Sequence, residues 1–292
     1  MTSPMSPEIL GTSLKGKVAV ITGASSGIGA EIARHFASLG CQLALTGRNM
    51  ETLQQVINEC LARGLGSDQV LQIQADYGER DAVKKTVEQI IQKFNQVDVL
   101  VNNAAVYATN TVESMTLDNF DLTFRVNVRA PLELTQLLTP YLIKSKGTVV
   151  NISSVIGRRS IVNELIYGMS KTALDHMTRC TAEELAPHGV RVNAVNPGVI
   201  ETPLFKRELG ITEEQVTQYF ESYSRSHPMR RTGKPDDVAR FVTFLASSDS
   251  SFTTGETVGI DGGHHLMVSD IENYRSQECN CNVFYDNVPN QD

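Results

Sequence analysis

Short runs of apolar, mostly β-branched residues alternate with longer helical patterns, and this alternation restricts the possible folds more than any other feature. The strand-like runs lie at residues 17–22, 42–46, 70–75, 97–102, 148–152, 190–195 and 257–260. The helical patterns lie at residues 28–39, 50–63, 79–94, 117–143, 166–185 and 235–246. Strands that are apolar on both faces, each followed by a helix, are typical of a parallel sheet covered on both sides. The pattern therefore predicts an α/β fold with a single, doubly wound parallel sheet of about seven strands.

The domain organisation follows from where this alternation begins and ends. Residues 16–265 contain no linker-like composition and no internal repeat, so we expect one domain there. Residues 1–15 are rich in Pro, Ser and Thr and are predicted to be an N-terminal arm. Residues 266–292 are polar, Asn-rich and aperiodic, and are predicted to be a C-terminal tail. We expect Cys279 and Cys281 to belong to a plain tail and the adjacent His264 and His265 to be a surface pair, so no metal site is predicted.

Charge and cysteine content exclude several classes of partner. The formal net charge of −7 argues against nucleic acid, and the chain offers no polybasic patch for an anionic membrane. No apolar run approaches the roughly 20 residues that span a bilayer. The N-terminal residues lack the charged-then-apolar order of a signal peptide. Together with an odd number of cysteines, five, these features predict a cytoplasmic protein with reduced thiols.

A glycine-rich turn joins the first predicted strand to the first helix. It reads Thr-Gly-Ala-Ser-Ser-Gly-Ile-Gly at residues 22–29. Glycine allows the sharp turn and the close approach of a pyrophosphate, and the helix N-terminus then presents its N–H groups to the phosphate. The turn predicts a dinucleotide site formed by Gly23, Ser25, Ser26, Gly27, Ile28 and Gly29.

The end of the second strand indicates which dinucleotide is bound. NAD-selective folds usually place an acidic residue there, about 20 residues beyond the turn, to bind the ribose. Here Thr46 and Gly47 are followed by Arg48 and Asn49, with no acidic residue. A guanidinium can bind a 2′-phosphate bidentately, whereas a carboxylate would repel it. Arg48 therefore predicts NADP(H), and NAD is the alternative if Arg48 is only a solvated surface residue.

Tyr167 and Lys171 are four residues apart on one predicted helix, so their side chains can act together. A phenol has a reference pKa of about 10, which is too high for easy proton exchange at neutral pH. A neighbouring ammonium group favours the phenolate and could lower this pKa by about 1–3 units. The pair therefore predicts a tyrosine acid/base catalyst, although the same spacing also occurs in exposed amphipathic pairs.

Several motifs occur together in one order. They are the turn at residues 22–29, Asn-Asn-Ala-Ala at 102–105, Asn127, Ile-Ser-Ser at 152–154, Tyr-Gly-Met-Ser-Lys at 167–171 and Asn-Pro-Gly at 196–198. With this set, residues 15–263 resemble the short-chain dehydrogenase/reductase family. The resemblance implies a Rossmann-like oxidoreductase that transfers hydride between a nicotinamide and a small-molecule carbonyl or secondary alcohol.

The resemblance also implies the catalytic roles. Tyr167 would donate or accept the substrate's proton, and Ser154, thirteen residues earlier, would hydrogen-bond the substrate oxygen. Ser153 is the rival serine, but its spacing to Tyr167 fits the motif less well. Lys171 would hold the nicotinamide ribose and lower the pKa of Tyr167. Asn127 would support a water that relays protons to Lys171.

The remaining cofactor contacts are implied by the same resemblance. Asp76 and the adjacent Tyr77 would lie near the adenine, and Asn103, Ala104 and Ala105 along the adenosine. Ala105 replaces the family's usual glycine, which should be tolerated. The residues expected around the nicotinamide are Pro197, Gly198, Ile200 and Thr202.

Three further expectations complete the prediction. Residues 204–230 look irregular and lie where the family has its substrate lid, and the alternative is a solvent-facing helix pair unrelated to substrate. Resemblance and the apolar helices at 117–143 and 166–185 predict a homotetramer or homodimer. Two alternatives to an NADP(H)-dependent enzyme remain: an NAD-dependent alcohol or hydroxysteroid-type dehydrogenase, and a nucleotide-binding scaffold without turnover.

Overall fold

The computed structural model describes residues 12–267, and its seven parallel strands form one sheet. The strands are β1 (Val18–Ile21), β2 (Gln42–Gly47), β3 (Val70–Gln74), β4 (Val99–Asn102), β5 (Thr148–Ile152), β6 (Arg191–Pro197) and β7 (Thr257–Ile260). Their order in the sheet is β3-β2-β1-β4-β5-β6-β7. The predicted doubly wound α/β fold with a single parallel sheet is confirmed.

Helices cover both faces of this sheet. They are α1 (Gly27–Ser38), α2 (Met50–Leu61), α3 (Ala82–Phe94), α4 (Leu117–Phe124), α5 (Ala130–Ser145), α6 (Leu165–Leu185), α7 (Pro203–Leu209), α8 (Glu213–Ser226) and α9 (Pro235–Ala246). Helices α1, α2 and α9 pack on one face, and α3, α5 and α6 pack on the other.

Strand β1 shows why the strands read as uninterrupted apolar runs. Ala19 and Ile21 belong to the core beneath α1 and α9, whereas Val20 belongs to the core beneath α3 and α5. All three side chains are fully buried. Successive residues of a strand point to opposite faces, so a sheet covered on both sides needs apolar residues at every position.

Strand order places the candidate site. Strand β1 pairs with β2 on one side and with β4 on the other. The chain therefore builds β2 and β3 on one side of β1 and then crosses over to build β4 to β7 on the other side. Ligands of open parallel sheets bind in the crevice at the carboxyl ends of the strands flanking such a switch point. The glycine turn, which follows β1, opens into this crevice.

The predicted single helix at 117–143 is wrong in one respect. A π-helical turn at Arg125–Arg129 separates α4 from α5, and α5 continues to Ser145. Asn127 lies at the centre of that turn. Single π-helical turns are frequent at functional sites. The apolar pattern of the sequence continues through this turn, so the pattern could not predict where the turn lies.

The prediction that residues 204–230 are irregular is also wrong, because α7 and α8 form the helix pair that was the alternative. Thr212 caps α8 by accepting a hydrogen bond from the Gln215 N–H (3.3 Å), and the Gln215 side chain accepts one from the Thr212 N–H (2.8 Å). This reciprocal capping box is readable in sequence as Thr-x-x-Gln. It explains why a segment with interspersed charges is helical.

The predicted tail, with Cys279 and Cys281, lies almost entirely outside the described residues, as does most of the predicted arm. Within residues 12–15, Leu14 is buried in the core against α1, so the packed part of the chain begins no later than Leu14. In the part of the chain that the structure describes, no helix combines the length and hydropathy needed to cross a membrane.

Candidate active site

A cavity of about 490 Å³ opens at the carboxyl ends of the strands. It runs from the glycine turn, past the ends of β2, β4 and β5, to α6 and the segment after β6. All predicted site residues line it except Gly29, which lies behind the turn, and Asn127, which lies behind α6. Residues from distant parts of the chain are therefore brought together at one site.

Close backbone packing explains the glycines of the turn. Gly23 has a φ of +64°, and a Cβ there would lie 2.9 Å from the Ala104 Cα. A Cβ at Gly29 would lie 2.4 Å from the Asn103 Nδ2 and 2.5 Å from the Gly23 carbonyl oxygen. Neither position can accept a side chain without displacing backbone, so the first residues of α1 stay directly behind the turn.

The N-terminus of α1 faces the cavity. Ser26 is the N-cap residue, and among the described residues its side chain makes no capping hydrogen bond. Helix N-termini whose N–H groups lack protein partners are suited to bind anions. Gly27, with a φ of +57°, brings this end within contact of Thr202, whose methyl group would lie 3.1 Å from a Cβ at Gly27. The turn, Ile28 and Thr202 thus form an open cradle that fits a pyrophosphate.

Asn103 connects the turn to β4. Its backbone N–H donates to the Thr22 Oγ1 (2.9 Å), and its Nδ2 donates to the carbonyl oxygens of Thr22 (2.8 Å) and Gly23 (3.1 Å). Ala104 N–H also donates to the Thr22 hydroxyl (3.0 Å). The Asn103 side chain therefore holds the turn in shape, and Ala104 and Ala105 form the wall of the cavity.

At the predicted adenosine end of the cavity, some residues present accessible polar groups and others stabilise the cavity wall. Arg48 is exposed at the rim, which leaves its guanidinium accessible to an anion. Asn49 Oδ1 accepts from the N–H groups of Glu51 and Thr52 (2.9 and 3.1 Å), so it caps α2. The buried Tyr77 hydroxyl is hydrogen-bonded to Thr46 (3.1 Å), and burial raises its pKa.

Asp76 lies beside them at the end of β3. Its Oδ1 accepts from the Gly78 N–H (2.9 Å), which leaves the second carboxylate oxygen for other contacts. Arg48 and Asp76 therefore offer accessible polar groups at this end of the cavity, while Asn49 and Tyr77 stabilise its walls.

Tyr167, Ser154 and Lys171 converge at the opposite end. Tyr167 and Lys171 lie in the first two turns of α6 and are buried, with 5.5 Å between the Lys171 Nζ and the Tyr167 ring centroid. The Lys171 ammonium donates to the Ile152 carbonyl at the end of β5 (2.8 Å). Ser154 lies just beyond β5, and its hydroxyl interacts with that of Tyr167.

The two serines of the motif differ in environment. The Ser153 hydroxyl donates to the Lys171 carbonyl oxygen (3.2 Å), so it is used within the protein. Ser154 Oγ accepts from the Ile156 N–H at 3.3 Å and keeps its own proton available toward Tyr167 and the cavity. This geometry supports Ser154 over Ser153 as the residue that meets a substrate oxygen.

The Lys171 ammonium was expected to lower the pKa of Tyr167, but the pKa of Tyr167 is raised in this site. Burial raises the Tyr167 pKa well above its usual value, the Glu164 carboxyl raises it further, and the Ser154 hydroxyl opposes both. Burial also lowers the pKa of Lys171 to about 8, against the stabilising effect of Asp175. Desolvation disfavours the charged form of each group, so burial favours the neutral phenol of Tyr167.

Asn127 connects the π-helical turn to α6. Its Oδ1 accepts from the Val106 N–H (2.9 Å), and its Nδ2 donates to the Val106 carbonyl (3.0 Å) and to Ser170 Oγ (3.1 Å). The side chain thus joins the loop after β4 to the residue next to Lys171. It positions this part of the site from behind.

The segment after β6 closes the cavity from the other side. A Cβ at Gly198 would lie 3.0 Å from both the Asp261 Cα and the His227 Nε2, so Gly198 lets this segment pack closely. Pro197 and Ile200 line the cavity beside it. Pro197, Gly198, Ile200 and Lys171 therefore line one cavity, as expected for residues around a nicotinamide.

Sequence reasoning also did not place Tyr107, Glu164 and His264 in the site, although all three are buried and line the cavity. Tyr107 donates a hydrogen bond to the Glu164 carboxyl group, and burial raises the pKa of Glu164 to about 8. His264 was predicted to be on the surface, but it is buried, and burial lowers its pKa to about 4; His265 is exposed. The sequence signal for Glu164 is its position three residues before Tyr167, at the start of the same helix.

Comparisons with known proteins agree with this geometry. The family model described as enoyl-(acyl carrier protein) reductase matches residues 23–265. A 3-oxoacyl-(acyl-carrier-protein) reductase of Thermotoga maritima is 38% identical over 251 residues, covering 86% of this chain and 98% of that protein.

Solved structures are also similar. A Caenorhabditis elegans short-chain dehydrogenase/reductase of unknown function, crystallised with cofactor, has a TM-score of 0.82 at 32% identity, covering 88% of this chain and 98% of that one. The Brucella melitensis 3-ketoacyl-(acyl-carrier-protein) reductase, complexed with NADH, has a TM-score of 0.77 at 34% identity, covering 87% and 100%. This chain is an oxidoreductase and belongs to the short-chain dehydrogenase/reductase family.

Proposed function

We propose that this protein is an NADP(H)-dependent carbonyl reductase in which Tyr167 is the general acid. The observation that carries the proposal is the convergence of Tyr167, Ser154 and Lys171 at one end of a cavity whose other end is the glycine turn. This arrangement suits a long ligand whose phosphates lie at the turn and whose reactive ring lies beside Lys171. A family relative is complexed with NADH, which supports a nicotinamide cofactor.

The residues at the reactive end have complementary tasks. The nicotinamide would supply or accept hydride at its C4 when bound. Ser154 would donate a hydrogen bond to the substrate's carbonyl oxygen and orient it toward Tyr167. Tyr167 would then give its proton to that oxygen as the alcohol forms. General acid catalysis of this kind contributes roughly 10²–10⁴-fold to the rate.

The electrostatics of the site suit a general acid. Burial and Glu164 raise the pKa of Tyr167, which favours the phenol form that gives its proton in reduction. Oxidation needs the phenolate, which the same surroundings disfavour. Lys171 would contribute by hydrogen-bonding the nicotinamide ribose with the donors that the Ile152 carbonyl does not use. Asn127 would support a proton-relaying water behind Lys171.

The choice of NADP(H) rests on Arg48. Its exposed guanidinium lies at the rim of the cavity, at the end of β2, where an NAD-selective fold would present a carboxylate. A charge-assisted bidentate bond to a 2′-phosphate would favour NADPH. Asp76 and Tyr77 would lie along the adenine, with Asn103, Ala104 and Ala105 beside the adenosine.

The partners we propose are a small-molecule carbonyl substrate and further copies of this chain. Leu117, Leu122, Leu132, Leu137 and Met169 expose between 37% and 72% of their surfaces on α4, α5 and α6. Apolar faces of this kind are commonly buried in closed symmetric oligomers, so a homodimer or homotetramer is expected. The unpaired Cys41, Cys60 and Cys180 suit a reducing compartment such as the cytoplasm.

A turnover assay tests the proposal. The purified protein is mixed with a panel of ketones, aldehydes and secondary alcohols, with NADPH and NADH compared by the absorbance of the reduced nicotinamide. We expect carbonyl reduction with a preference for NADPH. Binding of NADPH without turnover of any substrate would instead indicate a nucleotide-binding scaffold. Light scattering at micromolar concentration checks the oligomer, which a monomeric mass would contradict.

A further inference from the structure

Glu164 is a buried carboxyl group whose environment the proposed proton transfer does not explain. The residue is 6% exposed and lines the cavity. One carboxyl oxygen, Oε1, accepts a hydrogen bond from the Tyr107 hydroxyl. The other, Oε2, is buried and has no hydrogen-bond partner among the described residues. A buried carboxyl oxygen without a partner is costly and calls for an explanation.

Helix capping does not explain it. Glu164 is the N-cap residue of α6, yet its side chain makes no capping hydrogen bond in the described part of the chain. The cap is supplied from elsewhere, because Asn110 Oδ1 accepts from the Ile166 N–H (3.0 Å). The Glu164 carboxyl is instead bonded to Tyr107, and the residue lines the cavity.

The position of Glu164 relative to Tyr167 indicates what it can reach. The two residues are three apart at the start of one helix, so their side chains are neighbours on the same face, with Cβ atoms about 5–6 Å apart. Their proximity is also evident electrostatically, because Glu164 raises the pKa of Tyr167. A substrate whose carbonyl oxygen meets Tyr167 would therefore bring its neighbouring carbon atoms close to the Glu164 side chain.

The hydrogen-bonding chemistry of the Glu164 carboxyl group indicates which substituent of a substrate could pair with Oε2. When protonated, the group would donate from Oε2, because Oε1 already accepts from Tyr107. When ionised, Oε2 would accept. A hydroxyl group both donates and accepts, so it satisfies either form, whereas a second carbonyl satisfies only the protonated one.

We propose that Glu164 is a specificity-determining residue that selects hydroxy ketones, by hydrogen-bonding its Oε2 to a substrate hydroxyl close to the reacting carbonyl. In the oxidising direction the matching substrates are the corresponding diols. Tyr107 holds the carboxyl in place for this contact through the bond to Oε1. This inference rests on the proposed carbonyl reductase function and names the substrate class for it.

Matched substrate pairs test the inference. Hydroxyacetone is compared with butanone, and α-hydroxyacetophenone with propiophenone, because each pair exchanges a hydroxyl for a methyl group of similar size. We expect the native enzyme to prefer the hydroxy ketone in kcat/KM by about tenfold to a hundredfold, since a site built for a hydroxyl leaves a buried polar group unpaired when the hydroxyl is missing.

Three variants assign the preference to this carboxyl group. Glu164→Leu should abolish the preference by slowing hydroxy ketone turnover much more than that of the plain ketone. Glu164→Gln should retain much of it, because the amide oxygen can still accept from Tyr107 and the amide nitrogen can donate to the substrate. Glu184→Leu is the matched control on an exposed position of the same helix and should behave as the native enzyme.

The possible outcomes separate a failure of the Glu164 inference from a failure of the proposed carbonyl reductase function. Equal kcat/KM for both members of each pair in the native enzyme, or an undiminished preference in Glu164→Leu, would overturn the inference and leave the reductase function standing. No turnover of any ketone in either pair or in the wider carbonyl panel would contradict the proposed function itself. If Glu164→Leu does not fold, the preference retained in Glu164→Gln against a loss in Glu164→Met decides the question.

Discussion

The ring of Tyr107 packs edge-on against the ring of Tyr167, with 5.0 Å between their centroids and 79° between their planes. This is a favourable aromatic geometry. The Tyr107 hydroxyl donates a hydrogen bond to Glu164. Tyr107, which lies in the loop after β4, therefore contacts both the candidate catalytic tyrosine and the carboxyl group beside it. The loop after β4 therefore packs against the Tyr167 ring and helps to hold it in place.

Replacing Tyr167 with phenylalanine should stop turnover without unfolding the protein. The ring and its contact with Tyr107 remain, while the proton donor is lost. We expect kcat to fall by roughly 10²–10⁴-fold with little change in NADPH affinity. Steady-state kinetics and a binding titration check this, with Tyr141→Phe on α5 as the control. Near-native turnover in Tyr167→Phe would remove the basis of the proposed mechanism.

The two serines should respond differently to alanine. Ser154→Ala should lower kcat as Tyr167→Phe does, because the hydroxyl that orients the substrate oxygen is removed. Ser153→Ala should be mild, since the Ser153 hydroxyl is bonded to the Lys171 carbonyl oxygen within the protein. The measurement is kcat and KM for one ketone in both variants. A larger loss in Ser153→Ala than in Ser154→Ala would reverse the assignment.

Lys171→Ala should weaken cofactor binding and lower kcat together. The substitution removes the ammonium that bonds the Ile152 carbonyl and that would hold the nicotinamide ribose. NADPH titration and steady-state kinetics, compared with exposed Lys144→Ala, separate this result from that of Tyr167→Phe. Unchanged NADPH affinity in Lys171→Ala would argue against a ribose contact.

Arg48→Ala should weaken NADPH binding more than NADH binding. The expected loss for NADPH is about 1–3 kcal/mol if a charge-assisted bond to the 2′-phosphate is removed. Arg63→Ala, at an exposed arginine just after α2, provides the control. Isothermal titration with both cofactors gives the comparison. Equal affinity of the native protein for NADPH and NADH would show that Arg48 does not select the cofactor.

Glu164→Gln should change how stability depends on pH. Burial raises the Glu164 pKa from 4.5 to about 8, so between these values the folded state holds a proton that the unfolded state releases. The protonated Glu164 side chain therefore contributes to the stability of the folded state at low pH. This contribution falls as the pH rises from about 4.5 and is lost once the pH has passed about 8.

Glutamine does not titrate, so the free energy of unfolding of the variant should rise relative to that of the native protein by about 3–4 kcal/mol across that pH window. Denaturant unfolding of both proteins at about pH 5 and about pH 8.5 measures the difference. The low Lys171 and His264 pKa values affect both proteins alike and cancel in this comparison. A constant stability difference between the two pH values would contradict the raised pKa.

Most of the architecture could be predicted from sequence because local patterns carry it. Strands buried on both faces must be apolar throughout, and the glycines at 23 and 29 are required by contacts with Ala104 and Asn103 that a Cβ would break. The same turn, with the spacing of Ser154, Tyr167 and Lys171, led to the family through resemblance. The local patterns and the spacing of the motifs in the sequence were sufficient for these predictions.

Long-range packing decided the rest. The π-helical turn at Asn127, the burial of His264 and the pairing of Glu164 with Tyr107 join segments far apart in sequence, so no local pattern reports them. The raised pKa of Tyr167 shows the physical reason most directly. A charge four residues away is visible in sequence, but the desolvation that raises this pKa is produced only when the folded chain excludes water from the site.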